Sequence, residues 1–195
     1  MTAVTPKAWE RGDWFVSSSG QCFNVREPRP EQIQLADIAH HLSNVCRFGG
    51  AVREFYSVAE HCLYVSRLVR PELAALGLLH DATEAYLGDV IKPLKNCLPD
   101  YRALEHVWAA AIAERFGFPS LEHPEVKLAD VAAVQAERRD LLPSTLNADA
   151  PRELWAAYLQ RGDRVPPAAT PVKPLGSPAA AKEAFLARAW ALGIR

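Results

Sequence analysis

His61, the dipeptide His80-Asp81, Glu84 and Asp130 are the residues of this chain whose types and spacing could do chemistry. In a helix, side chains three, four and seven positions apart share a face. On that rule His61 lies with Val58, Val65 and Leu68, and His80 lies with Leu76, Gly77, Glu84 and Leu87. Asp81 falls about 100° further round the same helix. Asp130 stands with Val126, Lys127 and Val134. Ligand-type side chains are thereby turned toward apolar faces on three helices. A buried carboxylate without a partner costs several kcal/mol or takes up a proton. One divalent cation would satisfy them together. Two imidazoles and two carboxylates form a mixed N/O set that suits Mn, Fe, Co, Ni or Zn and fits an all-oxygen Ca site poorly. Helix-bundle cores are a common setting for such sites.

Each residue alone has a plainer reading. A histidine on an apolar helical face is more often a hydrogen-bonded core residue than a ligand. Asp130 can pair with Lys127 or Arg138, and Glu84 with a neighbouring base. It is the coincidence of all of them that favours a metal. His40 and His41, beside a helix break, read as one packed and one exposed residue and not as ligands. "ERRD" over 137–140 reads as a helix end with ion pairs, with Arg138 or Arg139 in reach of the site.

The elements that must position these residues are mostly helical. "EQIQLADIAHHLSNVCRF" places Ile33, Ile38, Leu42 and Val45 at helical intervals, and "SVAEHCLYVSRLV" does the same with Val58, Cys62, Val65 and Leu68 or Val69. A "GGA" break separates the two. Pro71 can open a third helix at its first turn, running through Leu76, Leu79 and "GLLHDATEAYLGD" until "VIKPLKN" and "LPD" interrupt it. A fourth is expected over 100–116 with Asp100 as N-cap and "FGFP" as its stop. A fifth runs from Pro124 to a close at Pro143.

Before these, "DWFVSSSGQCFNV" reads as a small hairpin or extended arm. After them, "VPPAATPVKPLGSP" is Pro-rich and extended, and a last helix starts at a Ser177 cap with Pro178 in its first position. The expected fold is all-α: a helical bundle with an N-terminal hairpin or arm and a Pro-rich C-terminal arm ending in a helix. The expected organisation is one domain over 1–195, with its core at about 31–142, an N-terminal arm at 1–30 and a C-terminal arm and helix at 143–195. No internal repeat is visible.

With 49% apolar and 23% charged residues and a net charge of -1, the chain is neither disordered nor membranous in composition. Its 22 Lys and Arg are balanced by 23 Asp and Glu without a basic block, which argues against a nucleic-acid polymer as partner. Cys22, Cys46, Cys62 and Cys97 form no C-x-x-C pair, and reduced thiols of a cytosolic protein are the plain reading. The N-terminal stretch has no signal-peptide pattern and no apolar run reaches the ~20 residues of a spanning helix, so a cytoplasmic location is expected.

The order His61, His80-Asp81, Asp130 resembles the H…HD…D signature of the HD-domain metal-dependent phosphohydrolases. The flanks "CRFGG", "FYSVAEHCLYVS", "HDATEAYLGD", "KPLK" and "VKLADVAAVQAERRDL" are similar to the nucleotidase branch, especially its bacterial 5'-deoxynucleotidase and phage-type members. The similarity spans residues 20–142 and continues more weakly to the C-terminal helix. It implies an HD-domain fold in which His61, His80, Asp81 and Asp130 hold one divalent ion. Glu84 matches the general acid or base toward the water and the leaving oxygen, and Arg47 an arginine that clamps phosphate. Asp89 matches a carboxylate near the sugar hydroxyls. Phe48 stands where relatives can carry an aromatic against the nucleoside, though an aromatic at a helix end more often packs in the core. Lys92 and Lys95 would add charge for further phosphates, or form a solvated face. The implied substrate is a nucleotide, most simply the 5'-phosphate of a (deoxy)nucleoside monophosphate. Triphosphate release from a nucleoside triphosphate, with Mg an option for the polyphosphate, and a non-catalytic nucleotide-binding module are the alternatives. The resemblance also implies a homodimer.

Overall fold

The computed structural model describes residues 12–143 and 165–195, so the parts of the expected arms at 1–11 and 144–164 lie outside the described residues. Two short antiparallel strands open the fold, β1 (Trp14–Val16) and β2 (Cys22–Asn24), paired with Phe15 opposite Phe23. Helices follow: α1 (Leu35–Asn44), α2 (Val58–Leu68), α3 (Ala74–Leu79), α4 (Glu84–Leu87), α5 (Lys92–Lys95), α6 (Pro99–Phe116), α7 (Pro124–Leu141) and α8 (Pro178–Ala191). The fold is all-α with an N-terminal hairpin, as the periodicity indicates. Among the described residues no helix is long and apolar enough to cross a membrane.

The hub is α2. Val58 through Ser66 are all buried, so this helix is enclosed on every side, by α1, α3, α7 and α8. Its start is fixed by a capping box: Ser57 accepts from the Glu60 N–H while the Glu60 carboxylate accepts from the Ser57 N–H at 2.8 Å. Glu60 also accepts from the Leu175 N–H at 2.6 Å, which ties the Pro-rich C-terminal segment across the same helix end. That segment leads to α8, whose buried Ala181, Phe185 and Ala189 pack on α1 and α2, as the Ser177-Pro178 start implies.

The hairpin docks through an aromatic cluster. Phe15 and Phe23 stack at 5.6 Å between centroids, and Tyr86 stacks on Trp108 at 4.3 Å beside them. The serine loop between the strands closes on Asp37 of α1, whose carboxylate accepts from the hydroxyls of Ser17, Ser18 and Ser19 and from the Ser19 N–H. These bonds overcome burial and hold the Asp37 carboxyl below its usual range. His41 joins the same loop to the site region: its Nδ1–H donates to the Ala85 carbonyl at 2.6 Å and its Nε2 accepts from the Ser18 N–H at 3.0 Å. Both His40 and His41 are half-buried, rather than one packed and one exposed.

Several boundaries differ from the periodic pattern. The first helix does not extend from 31 to 48; Pro30–Gln32 and Arg47–Gly50 are separate 3-10 turns, because Val45 turns extended and Cys46 bridges to Ser57. The third helix does not run on through Leu87. It ends at Leu79, and the backbone tightens to i→i+3 bonds, Ala82 N–H to Leu79 O and Glu84 N–H to Asp81 O, before α4. The His80 ring donates to the Gly77 carbonyl at 2.9 Å, and a side chain drawing on a carbonyl of the previous turn disturbs the helical ladder there. Asp100 is not the cap of α6. Leu98 takes that place and Pro99, with its pre-set φ, the first helical position, leaving Asp100 as an acidic residue in the first turn. "VIKPLKN" is not simply a break, since it contains the one-turn α5.

Candidate metal centre

Three elements converge on one point. α2 brings His61, the tight turn after α3 brings His80 and Asp81, and α7 brings Asp130. His61 Nε2 lies 3.3 Å from Asp130 Oδ1 and 3.5 Å from Asp81 Oδ2, and His80 Nε2 lies 3.2 Å from Asp81 Oδ2. The two imidazoles are 5.2 Å apart between centroids. Candidate ligand atoms of His61, His80 and Asp130 all fall within 4.8 Å of one another, so this group could hold a metal ion.

The tautomers follow from the other ring nitrogens. His61 Nδ1 faces Glu137 Oε1 at 2.6 Å, and His80 Nδ1 faces the Gly77 carbonyl at 2.9 Å. Both acceptors require a proton on Nδ1, which leaves each Nε2 lone pair aimed at the centre. Both Nε2 atoms are buried and make no hydrogen bond. A lone pair 3.2 to 3.5 Å from carboxylate oxygens is repelled unless a proton or a cation lies between them. Burial disfavours the charged imidazoles, yet Asp81 and Glu137 overcome it and raise the pKa of His80 and His61 respectively. The same imidazoles, with Lys127 beside Asp130, hold Asp81 and Asp130 well below the usual carboxylate range against their own burial. The cluster is thus built to be neutralised by positive charge, and the donor set fits a divalent cation of the N/O type.

Asp130 also pairs with Lys127, whose Nζ donates to Oδ2 at 2.6 Å, while Oδ1 remains on the His61 side. The plain reading of Asp130 and the ligand reading therefore hold together, one for each oxygen. Cys62, Asp81 and His80 form a second overlapping group of potential ligands. Burial pushes the Cys62 thiol up, which disfavours the thiolate a metal would need.

Glu137 is the residue that sequence reasoning missed. It is fully buried and bridges His61 Nδ1, through Oε1, to the Arg47 guanidinium at 3.2 Å through Oε2. An outer carboxylate that orients a ligating imidazole is a common support of metal sites. The signal for it was its place seven residues after Asp130, two turns along the same face of α7.

Arg47 is buried, with a second contact to Asp81 at 3.7 Å. Its guanidinium lies 5.5 Å from the Phe48 ring centroid. Phe48 is half-buried, on the rim rather than in the core, and adopts φ 55° and ψ 29°, a left-handed conformation that costs a residue with Cβ about 1–2 kcal/mol. Such strain beside a cluster of ligands is typical of functional sites.

A cleft of about 210 Å³ opens over these groups, lined by Arg47, Asp81, Glu84, Asp89, Lys92, Lys95, Arg102, Lys127 and Asp130. Glu84 is buried, its Oε2 makes no hydrogen bond, and burial together with Asp81 and Asp89 holds its carboxyl well above the ordinary range. Lys95 stands 3.8 Å from Glu84 and 2.6 Å from Glu105. Asp89 is raised by burial more than Arg47 lowers it. The structure thus brings Glu84, Arg47, Asp89, Lys92 and Lys95 to one cleft beside the four ligand candidates.

No family model matches the chain. It is similar to the Escherichia coli K12 protein named as uncharacterized protein YfdR, with 46% identity over 123 residues, which are 63% of this chain and 69% of the relative. The chain belongs to the YfdR family. A Rhodobacter capsulatus protein, also named as uncharacterized, is 36% identical over 137 residues, covering 65% of this chain and 67% of its own length. Neither relative's name assigns an activity.

Proposed function

We propose that this protein is a metal-dependent phosphohydrolase of the HD-domain type that removes the 5'-phosphate of (deoxy)nucleoside monophosphates. The observation that carries the reading is the pair of buried, unbonded Nε2 atoms facing Asp81 and Asp130 at the floor of a cation-lined cleft that also holds the buried Glu84. His61, His80, Asp81 and Asp130 would hold the cation, with Mn, Co, Fe, Ni and Zn all suited to the set. When bound, such an ion lowers the pKa of water and polarises a phosphoryl oxygen.

The chain's own residues supply the rest. Arg47, held by Glu137, neutralises phosphate charge with its remaining N–H groups. Glu84, whose carboxyl is held above its ordinary range by burial and by the neighbouring Asp81 and Asp89, serves as the acid that gives its proton to the oxygen leaving phosphorus. Lys95 stands next to Glu84 and sets the charge around it. Asp89 lines the same cleft and would meet the sugar hydroxyls, and Phe48 stands beside the Arg47 guanidinium.

One observation favours triphosphate release as the second reading. Arg47, Lys95 and Lys127 each pair with carboxylates, whereas among the described residues Lys92 makes no ion pair and Arg102 bonds only to the neutral Asn96. Burial and the like charges of Lys127, Arg102 and Lys95 lower the Lys92 pKa. Those two cations would be matched by further phosphates.

Chromatography of products from a panel of nucleoside mono-, di- and triphosphates, each with several divalent metals, tests both readings. Phosphate from monophosphates is expected; triphosphate from triphosphates would select the second. Full activity in the double variant His80→Ala, Asp81→Ala would reject the site for either.

A further inference from the structure

A second cleft borders the candidate metal centre at His80 and Asp81. It runs between α6 and the start of α7, encloses about 670 Å³, and shares Asp81 and Lys127 with the cationic cleft. Ligand sites for small molecules usually measure ~300–1,000 Å³. The cationic cleft, at about 210 Å³, falls below that range and the α6–α7 cleft falls within it. A nucleotide is therefore too large for the first alone, whereas its phosphoryl group is not.

The chemistry of the walls divides the same way. The first cleft is crowded with Arg47, Lys92, Lys95 and Arg102. The second has apolar surface from Ala109, Leu121 and Val126, with the imidazoles of His106 and His123 at its polar edge. His123 is the N-cap of α7, and its Nδ1 accepts from the Glu125 N–H at 3.2 Å. In the neutral ring that bond places the proton on Nε2, which makes His123 a fixed donor.

We propose that the α6–α7 cleft is the nucleoside subsite and that His123 is a specificity-determining residue whose Nε2–H donates to an acceptor on the base. The substrate then lies across Asp81, with phosphate under Arg47 and Lys92 and the base against Ala109 and Leu121. This rests on the nucleotide phosphohydrolase reading. It moves the base away from Phe48, where the family resemblance had put it.

The test is a titration of the ¹⁵N-labelled full-length protein with each of four 2'-deoxynucleosides, followed by amide chemical shifts and run beside turnover of the matching monophosphates and of methyl phosphate. Ala109 is half-buried on α6 and lines the cleft, so Ala109→Trp fills it. His123→Asn retains an N-cap acceptor and deletes the Nε2 donor. Shifts are expected at Ala109, Leu121 and His123 and are lost in Ala109→Trp. The ratio of the nucleotide KM to the methyl phosphate KM is expected to rise at least tenfold in Ala109→Trp. His123→Asn should alter the ranking among the four bases. Shifts confined to Phe48 and Asp89, no shifts at all, or a KM ratio unmoved by Ala109→Trp would overturn the subsite. Nucleoside binding in the cleft with no turnover by the unmodified protein would instead retain the subsite and remove the phosphohydrolase reading.

Discussion

Replacing Glu137 by Gln separates the metal reading from an ordinary buried polar network. The two Glu137 oxygens serve two partners, His61 Nδ1 at 2.6 Å and Arg47 at 3.2 Å, and the side chain is fully buried. Glutamine has one acceptor oxygen, so it can satisfy one partner and must turn its amide N–H groups on the other. Loss of an outer carboxylate of this kind typically costs 10–100-fold in metal affinity, or about 1.4–2.7 kcal/mol. Breaking a buried charge pair costs about 3–5 kcal/mol of folding stability, and Arg47 retains Asp81 at 3.7 Å, which places the expected loss near the lower figure. Calorimetric titration of chelator-stripped protein with Co²⁺ measures the first quantity and urea denaturation the second. Glu137→Asp, which keeps the charge on a shorter stem, should fall between wild type and Glu137→Gln in both. Cobalt affinity within twofold of wild type in Glu137→Gln would refute the claim that Glu137 supports a ligating imidazole.

Other outcomes follow from the same geometry. Glu84→Gln should lower kcat by about 10²–10⁴-fold, the range for loss of a general acid or base. The folded Glu84 pKa is raised above its ordinary value of 4.5, so ionising it costs stability increasingly as pH climbs from 4.5 toward the folded value. Glu84→Gln should therefore raise the urea midpoint near neutral pH and leave it unchanged in acid. In chelated protein His61 and His80 are raised above 6.5, so their contribution is complete below 6.5 and is lost as pH rises through the folded values. Denaturation midpoints of the stripped protein should fall on that rise, and added Co²⁺ should abolish the fall, since metal needs the neutral rings. Asp37→Ala should cost about 2–4 kcal/mol, because the serine loop loses four bonds to one charged acceptor. The folded Asp37 pKa lies below 3.8, so this difference is present above 3.8 and shrinks as pH falls through the folded value, which a pH series of denaturation curves would reveal.

The ligand candidates were legible in the sequence because each is an ionisable residue on an otherwise apolar helical face, and ordinary helix geometry turns such residues inward. The capped start of α8 was legible from Ser177-Pro178 for equally local reasons. The break after Leu79 was not, because it accompanies a ring donating to the Gly77 carbonyl, and His80 has the same place in a helical pattern whichever way its Nδ1 points. Glu137 was hidden by its neighbours: "ERRD" looks like a solvated helix end, and only the packing of α7 on α2 shows that its first residue faces His61 while Arg139 and Asp140 pair with each other on the outside. Both clefts depend on how α4, α5, α6 and α7 meet, and no periodicity within one element reports that.

The most direct measurement is metal stoichiometry by equilibrium dialysis of the stripped protein against Co²⁺, with the His80→Ala, Asp81→Ala double variant alongside. One tightly held ion per chain is expected in the unmodified protein and none in the variant. No bound ion in the unmodified protein, or one ion retained by the variant, would contradict a metal centre at His61, His80, Asp81 and Asp130.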